Sequence, residues 1–214
     1  MPDEGVIKFD LRYTYAEPEN PTPPAALNTW RNRLWQLQLI GQQAGRYGGA
    51  GYGNVSRRIE APDTPAGHPR FIISGTQTGA LARLDAKHFC VVTDWDVKRN
   101  HVIARGPVRP SSEALTHGTF YSQDDDINVV FHVHSPAIWH AAHRLGLACS
   151  DPAIAYGTPE MAAEVARLFS KMDVRRGASI FAMGGHEDGV IAFGIDEESA
   201  GAVLLNALER SQQL

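Results

Sequence analysis

Two histidines one residue apart form the sharpest chemical pattern in this sequence, in the segment Phe131-His132-Val133-His134-Ser135. Side chains two positions apart on a β-strand point to the same face of the sheet, so the two imidazoles could reach one ion. Imidazole is a common zinc ligand, and the alternative is a pair of ordinary core or surface histidines. The spacing therefore predicts two metal ligands, His132 and His134, on one strand.

A third histidine, His186, lies in the glycine-rich segment Gly184-Gly185-His186-Glu187-Asp188-Gly189. Glycines free the backbone between two strands, so such a turn can present a side chain at its tip. Three imidazoles with an open fourth position are typical of a catalytic zinc site. The alternative is a histidine on a surface turn, and Glu187 and Asp188 beside it could orient imidazoles or simply be solvated acids.

A run of small polar residues, Pro110-Ser111-Ser112-Glu113, opens a predicted helix. Serine hydroxyls and free backbone N–H groups at a helix N-terminus favour an anion such as phosphate, although an ordinary helix cap has the same composition. Glu113, His117 and Tyr121 follow one another at four-residue steps and share one helical face. A carboxylate at the start of that face could reach the metal site and move protons. The alternative is that Glu113 only neutralises the helix N-terminus while His117 and Tyr121 pack, and a structural role is favoured for His117.

Two further loops are rich in glycine, hydroxyl and amide groups, namely Gly51-Tyr52-Gly53-Asn54-Val55-Ser56 and Ser74-Gly75-Thr76-Gln77-Thr78-Gly79. Such loops can wrap an oxyanion with neutral hydrogen-bond donors. Ordinary turns have a similar composition, so each loop alone is weak support for a binding site.

The elements that would position these residues can be placed from apolar periodicity and from glycine, proline and capping residues. Apolar residues at three- and four-residue steps predict a helix over 27–40, with Asn28 or Thr29 as its cap. The other predicted helices cover 111–120, 137–145, 159–172 and 197–211, and the predicted strands cover 71–74, 89–92, 101–104, 128–134, 179–183 and 189–194. Helices that flank several strands indicate an α/β or α+β fold.

The composition is that of one ordinary globular domain, with 214 residues and 43% hydrophobic side chains. We expect this domain to cover residues 25–214, after a proline-rich N-terminal arm over residues 1–24. A formal net charge of -4 gives no basic surface for nucleic acid. Without an apolar stretch of roughly 20 residues or a signal-peptide pattern, we expect a cytoplasmic protein with no membrane partner. Cys90 and Cys149 are predicted to be buried free thiols.

Taken together and in order, these motifs resemble the class II aldolase/adducin family from about residue 27 to the C-terminus. The motifs that carry the resemblance are Gly53-Asn54-Val55-Ser56, Thr76-Gln77-Thr78-Gly79, Pro110-Ser111-Ser112-Glu113, His132-Val133-His134-Ser135, Tyr156-Gly157-Thr158 and His186. The most specific part is the Ser-Ser-Glu block followed shortly by His-x-His. In the second loop, Thr78-Gly79 fits the family's Ser/Thr-Gly pair better than Ser74-Gly75 does.

The resemblance implies an α/β fold, an α/β/α three-layer sandwich with a central, largely antiparallel sheet, in a homotetramer with active sites at subunit interfaces. It implies that His132, His134 and His186 hold Zn²⁺, with Mn²⁺ or Co²⁺ as other suitable ions. It also implies that Glu113 is the catalytic acid/base. The residues implied to bind a substrate phosphate form three pairs: Gly53 with Asn54, Thr78 with Gly79, and Ser111 with Ser112.

The activity implied is a retro-aldol cleavage of a small sugar phosphate, or a related hydroxy-carbonyl compound, through a metal-stabilised enediolate. A dehydratase, an epimerase or a decarboxylase could use the same site, and the sequence does not choose among them. A non-catalytic binding module like adducin is a further alternative. Adducin-type members lack the metal histidines, whereas this chain retains them.

Three departures from the family pattern bear on the substrate. The segment between His134 and Tyr156 is shorter than in the sugar-phosphate aldolases, so their proton-donating tyrosine has no clear counterpart. The turn around His186 carries two additional acids, Glu187 and Asp188. The chain also ends soon after its last predicted helix, so we expect that a tail that closes over the neighbouring site is either missing or replaced by the N-terminal arm.

Overall fold

The structure, a computed structural model, describes residues 5–20, 22–59, 69–172 and 177–214. Its α-helices are α1 (Ala25–Gln36), α2 (Ala114–Gln123), α3 (Pro136–Leu145), α4 (Pro159–Phe169) and α5 (Glu197–Gln212). Its strands are β1 (Asp10–Tyr15), β2 (Gly41–Gln42), β3 (Gly51–Tyr52), β4 (Asn54–Ile59), β5 (Arg70–Ser74), β6 (Phe89–Asp96), β7 (His101–Gly106), β8 (Val129–His134), β9 (Ala148–Cys149), β10 (Ala178–Ala182) and β11 (Gly189–Gly194). None of the helices in these described ranges combines the length and apolar character that crossing a bilayer requires.

A single large sheet organises the fold, with strand order β1-β7-β6-β5-β4-β8-β11-β10-β9. β1 is parallel to β7 and β9 is parallel to β10, while the neighbours between them pair antiparallel. The two short strands β2 and β3 pair separately. The expectation of mixed α/β content around a central, mostly antiparallel sheet is therefore confirmed.

Strand β8 lies in the middle of the sheet, and its neighbouring residues enter two different hydrophobic clusters. Val130 belongs to a cluster with Phe120 of α2 and Val165 of α4. Phe131 belongs to a second cluster, which includes Leu34 of α1 and residues of α3 and α5. This alternation follows from the two-residue period of a strand. It places His132 and His134 on the same face as Val130, and all of β8 is buried.

Two helices that follow the site begin where their capping residues predict. The side chain of Thr158 accepts a hydrogen bond from the backbone N–H of Met161 at the start of α4. Ser135 accepts in the same way from Ile138 at the start of α3. Both helices have proline in their first turn, which suits a position where no intrahelical donor is needed. Ser135 thus ends the histidine strand and caps the next helix.

The first helix differs from its prediction at both ends. Pro24, rather than Asn28 or Thr29, is the N-cap, and no side chain caps the helix. The helix ends earlier than residue 40 because Gln38 adopts a left-handed conformation with φ 58°. Ile40 is still buried, since the chain turns back against the core after the helix.

Strand β1 lies inside the N-terminal arm, where the sequence analysis predicted no strand. It covers an edge of the sheet by pairing with β7, and Phe9 just before it is buried. Within this arm, residues 1–4 and 21 lie outside the described residues. The division into an arm over 1–24 and a domain over 25–214 stays a prediction. Of the two free cysteines, Cys90 is buried as expected, whereas Cys149 is only partly buried.

Candidate active site

Three strands meet at one end of the sheet and bring the histidines together. His132 of β8 lies opposite Asn54 of β4 on one side and opposite Ile191 of β11 on the other. His134, two residues on, lies opposite Gly189, the first residue of β11. The turn that carries His186 leads directly into β11, so the strand pairing delivers its side chain to the same place.

The three predicted metal ligands, His132, His134 and His186, form one buried cluster. One ring nitrogen of each lies within 4.8 Å of the others. The Nε2 atoms of His132 and His134 are 3.2 Å apart. Two nitrogens on one tetrahedral zinc, at about 2.0–2.1 Å from the ion, would be roughly 3.4 Å apart. The nitrogens of His132 and His134 are therefore spaced as two ligands of one ion would be, and the three histidines together could hold a divalent ion.

Backbone hydrogen bonds hold the turn that presents His186. Its N–H donates to the carbonyl of Met183 (3.2 Å), and its carbonyl accepts from the N–H of Gly189 (2.9 Å). The turn also packs directly on the backbone of the 150–157 segment, because a Cβ on Gly185 would overlap the carbonyl group of Ile154. Glycine is required there by this close approach.

Glu113, the predicted acid/base, lies beside the cluster. Its Oε1 atom is 3.5 Å from Nδ1 of His186, and the residue is only 1% exposed. It is the N-cap of α2, so the helix starts later than the predicted 111, and Ser111 and Ser112 belong to the preceding turn. Burying a carboxylate is costly unless it interacts with other polar groups. Its position next to an imidazole therefore favours a functional role.

A small pocket adjoins this cluster. All six residues predicted to bind phosphate line it, namely Gly53, Asn54, Thr78, Gly79, Ser111 and Ser112. Thr76 and Gln77 also line the pocket, although they were not predicted to bind phosphate. Asn54 connects the pocket to the cluster, because it is the residue opposite His132. The structure thus brings the three predicted loops into one polar cavity.

The two Ser/Thr-Gly pairs of the second loop have different surroundings. The hydroxyl of Ser74 accepts a hydrogen bond from the backbone N–H of Val55 (3.1 Å) and so ties β5 to β4. The hydroxyl of Thr78 donates to the carbonyl of Gly75 (2.8 Å) and lies at the pocket. Thr78 is therefore the better placed of the two for a ligand.

Sequence reasoning missed two residues at this site, Arg46 and Tyr47, which lie between β2 and β3. The ring of Tyr47 meets the imidazole of His134 edge to face, with centroids 4.6 Å apart. Its hydroxyl donates to Oδ2 of Asp188 (2.6 Å), and burial together with this bond raises the pKa of Tyr47. The signal that could have found them is two long side chains within an otherwise glycine-rich segment ahead of Asn54.

The N-terminal arm also reaches the site, by way of Tyr156. This tyrosine stacks on His186 with ring centroids 4.3 Å apart. Its hydroxyl accepts a hydrogen bond from the backbone N–H of Val6 (3.3 Å), and Nζ of Lys8 lies 3.9 Å from its ring centroid. Gly5 lines the pocket itself. The described part of the arm therefore runs along the site.

The electrostatics of the cluster favour neutral imidazoles. Burial lowers the pKa of His132 and of His134 well below the usual histidine value, and the proximity of His186 lowers both further. A hydrogen bond to the backbone of Val190 acts in the opposite direction on His132. Since the neutral ring is the form that binds a metal, both residues are in the required state at neutral pH.

His117 is buried behind the site. Its Nδ1 lies 2.7 Å from the hydroxyl of Ser56, which in turn lies 2.6 Å from the hydroxyl of Tyr121. Ser56 belongs to β4, so this network joins α2 to the sheet. The contacts support the structural role that the sequence analysis favoured for His117.

The metal-free protein is expected to lose stability as the pH falls from 7 to 5. Burial lowers the pKa of His117 to about 3, whereas a histidine in the unfolded chain titrates near 6.5. Between these values the unfolded state binds more protons than the native state. The free energy of unfolding therefore decreases as the pH is lowered, and this residue accounts for a decrease of about 2 kcal/mol between pH 7 and pH 5. His132 and His134 act in the same direction.

Urea denaturation at several pH values, with a chelator present, measures this loss. The exposed residues His140 and His143 on α3 provide the control, since their replacement by glutamine should leave the slope unchanged. A free energy of unfolding that stays constant from pH 7 to pH 5 would contradict the burial of neutral histidines.

Several solved structures share this fold. A sugar-phosphate aldolase from Thermotoga maritima is 15% identical with a TM-score of 0.61, over 87% of this chain and 91% of that one. An L-fuculose 1-phosphate aldolase is 16% identical with a TM-score of 0.62, over 91% of this chain and 86% of that one. YgbL from Escherichia coli is 17% identical with a TM-score of 0.60, over 88% of this chain and 86% of that one. Aldolase, epimerase or decarboxylase activity has been suggested for YgbL. At these identities the likeness concerns the fold alone.

Sequence comparison extends the likeness beyond the fold. No curated protein matches the chain at a significant level. The family described as Class II Aldolase and Adducin N-terminal domain matches residues 45–205, a span that contains the histidine cluster, Glu113 and the pocket loops. Because the match covers most of the chain and includes the residues that meet at the end of the sheet, this protein belongs to the class II aldolase and adducin family.

Proposed function

We propose that this chain is a zinc-dependent aldehyde-lyase that cleaves a small sugar phosphate, or a related hydroxy-carbonyl compound, by a retro-aldol reaction. One observation carries the proposal: ring nitrogens of three buried histidines lie within 4.8 Å of one another, and Glu113 lies 3.5 Å from one of them. Three imidazoles with an open position are typical of catalytic zinc. A carboxylate next to them can move a proton.

Each residue at the cluster has one role in this proposal. His132, His134 and His186 hold the ion, for which Mn²⁺ or Co²⁺ could substitute. A divalent ion bound there would supply Lewis acidity to a substrate carbonyl and its neighbouring hydroxyl. Glu113 exchanges the proton at the adjacent carbon. Its burial keeps bulk water away from that step, because the carboxylate is only 1% exposed.

The pocket formed by Gly53, Asn54, Thr78, Gly79, Ser111 and Ser112 holds the substrate phosphate in this proposal. Hydroxyl, amide and backbone N–H groups can surround a phosphate without a lysine or arginine. Since Asn54 lies opposite His132, a phosphate in the pocket leaves the rest of a short sugar beside the cluster.

Ser112, one of the two serines at the pocket, offers a direct test of phosphate binding. Ser112→Ala is expected to raise KM for a phosphorylated substrate roughly 10- to 100-fold with kcat retained, because a hydrogen bond to a charged group contributes about 1.5–3 kcal/mol. Steady-state kinetics measure the change. Ser122→Ala, which removes a hydroxyl bonded within α2, is the matched control and should leave KM unchanged. An unchanged KM in Ser112→Ala would argue against phosphate binding there.

A decarboxylase, epimerase or dehydratase is the second candidate, and a feature of the tyrosines favours it. The hydroxyl of Tyr47 donates to Asp188, and that of Tyr156 accepts from Val6. The proton of the Tyr47 hydroxyl is thus engaged by Asp188, while Glu113 lies at the cluster. A reaction in which Glu113 alone moves protons suits this arrangement. A non-catalytic adducin-like module is less well supported, since the three histidines are present and clustered.

The proposal extends to architecture, assembly and location. Hydrophobic clusters with different helices, α2 and α4 in one and α1, α3 and α5 in the other, support an α/β/α three-layer arrangement. We propose a homotetramer with sites at subunit interfaces, located in the cytoplasm, as the family resemblance implies.

A substrate panel separates these activities. Metal-loaded protein is incubated with ketose and aldose phosphates and with phosphorylated β-keto acids, and the products are followed by NMR. Release of an aldehyde and a ketone fragment supports the lyase, whereas carbon dioxide, an epimer or loss of water supports the second candidate. Turnover must depend on the metal and on Glu113. No turnover of any compound would favour the binding module.

A further inference from the structure

Arg46, Tyr47 and Asp188 form a polar cluster that neither the proposed ligands nor the pocket includes. The hydroxyl of Tyr47 donates to Oδ2 of Asp188 at 2.6 Å. Nη2 of Arg46 bonds to the same hydroxyl and lies 3.6 Å from the same carboxylate oxygen. Asp188 is only 7% exposed, so this carboxylate is buried, while its partners Arg46 and Tyr47 are partly buried. These interactions with Tyr47 and Arg46 stabilise the carboxylate of Asp188, which is buried two residues from His186.

The backbone at two of these residues is locally unfavourable. Tyr47 has φ 49° and Asp188 has φ 61°, both in the left-handed region that non-glycine residues avoid. Contacts elsewhere must therefore hold them there. The Tyr47–Asp188 hydrogen bond spans 141 positions of the chain and joins the segment between β2 and β3 to the turn of His186.

The cluster and the neighbouring Tyr52 lie against His134. The ring of Tyr47 lies edge-on to this imidazole at 4.6 Å, and the ring of Tyr52 lies at 5.4 Å. The guanidinium of Arg46 covers both tyrosine rings at 4.8 Å. The main-chain carbonyl of Asp188 accepts from the N–H of Ser135, the residue after His134 (2.8 Å). Asp188, which belongs to the turn of His186, therefore also contacts the end of the strand that carries His134.

We propose that Tyr47 and Asp188, with Arg46, are positioning residues that fix the imidazole of His134 relative to His186. This proposal rests on the metal site of the proposed function. A ligand that is already oriented loses little freedom when an ion binds, and residues that orient metal ligands typically contribute 10- to 100-fold in affinity. The carboxylate of Asp188 holds the hydroxyl of Tyr47, and the ring of Tyr47 then packs against the imidazole of His134. The guanidinium of Arg46 offsets the charge of the buried carboxylate.

Two conservative variants test the proposal. Tyr47→Phe keeps the ring against His134 and removes the hydroxyl, and Asp188→Asn keeps a residue type that tolerates a positive φ. Each is expected to weaken Co²⁺ binding by about 10-fold or more and to alter the visible spectrum of bound Co²⁺. The thermal midpoint of the metal-free protein should fall by only a few degrees, and Co²⁺ affinity is measured at a temperature where every variant is folded. Because the amide of Asp188→Asn keeps an oxygen that can still accept from Tyr47, the double variant should bind Co²⁺ no more weakly than Tyr47→Phe alone, which removes that hydrogen bond.

A second tyrosine-carboxylate pair provides matched controls. The hydroxyl of Tyr15 donates to Glu17 at 2.9 Å on the exposed surface, so Tyr15→Phe and Glu17→Gln should leave Co²⁺ affinity and spectrum unchanged. Wild-type affinity and spectrum in Tyr47→Phe and Asp188→Asn would overturn the proposal, as would a lowered midpoint with unchanged affinity. If the wild-type protein itself bound no Co²⁺ or Zn²⁺, the proposed function would fail as well. That outcome can be told apart from failure of the positioning role, because it is seen in the wild type and not only in the variants.

Discussion

Replacing both His132 and His134 by alanine is expected to abolish divalent-metal binding. Their Nε2 atoms lie 3.2 Å apart and leave His186 as the remaining histidine of the cluster. Structural zinc sites with four ligands bind by about 10–16 kcal/mol, so losing two ligands should weaken binding by roughly a thousand-fold or more. Elemental analysis of purified protein and chelator competition measure the change. Catalytic turnover should disappear with the metal.

Two exposed histidines on α3 make the control for this experiment. His140→Ala with His143→Ala removes the same number of imidazoles from the surface, and metal content should remain at the wild-type level. Because removing buried side chains can lower stability, His134→Gln offers a variant of similar volume in which the fold is easier to keep. Equal metal content in the wild type and in the His132/His134 double variant would show that the ion binds elsewhere. Metal near zero in both would remove the metal from the proposal.

Glu113→Gln is expected to lower kcat by about 10²- to 10⁴-fold, the usual contribution of a positioned acid or base. The amide keeps the size of the side chain but cannot exchange the proton. Since three histidines hold the ion in the proposed site, metal content should change little. Steady-state kinetics on the best substrate of the panel, together with metal analysis of the same sample, test both statements.

Glu197→Gln is the matched control for this variant. Glu197 is similarly buried, at 3% exposure, but it pairs with Arg57 at the start of α5. Its replacement should lower stability while kcat stays at the wild-type value. If Glu113→Gln retained full turnover, Glu113 would have only a structural role as the N-cap of α2.

The strand with the two histidines illustrates what local sequence predicts well. A run of β-branched and aromatic residues that ends in Ser135-Pro136 predicts both the strand and the cap of the next helix, and the structure has both. The two-residue period then fixes His132 and His134 on one face. Their meeting with His186 depends on pairing between strands that lie far apart in the chain, and the family resemblance indicated it more strongly than the glycine-rich turn did.

The residues that were missed act through distant contacts. Tyr47 reaches His134 because a left-handed backbone turns it toward the site and Asp188 holds its hydroxyl. Neither condition leaves a periodic signal in the sequence. Strand β1 was missed for a related reason, since its stability comes from pairing with β7, about 90 residues later. The end of α1 was misplaced because the apolar spacing continues to Ile40 after the helix has ended.

The path of the N-terminal arm has a consequence for how this protein should be produced. Gly5 lines the pocket and Val6 contacts Tyr156, so a group attached to this segment would lie beside the proposed phosphate pocket. At the other end, Leu214 is exposed and follows α5, where its carbonyl accepts from Arg144. Affinity tags therefore belong at the C-terminus for kinetic work. A fluorophore attached near Val6 would instead report whether the site is occupied.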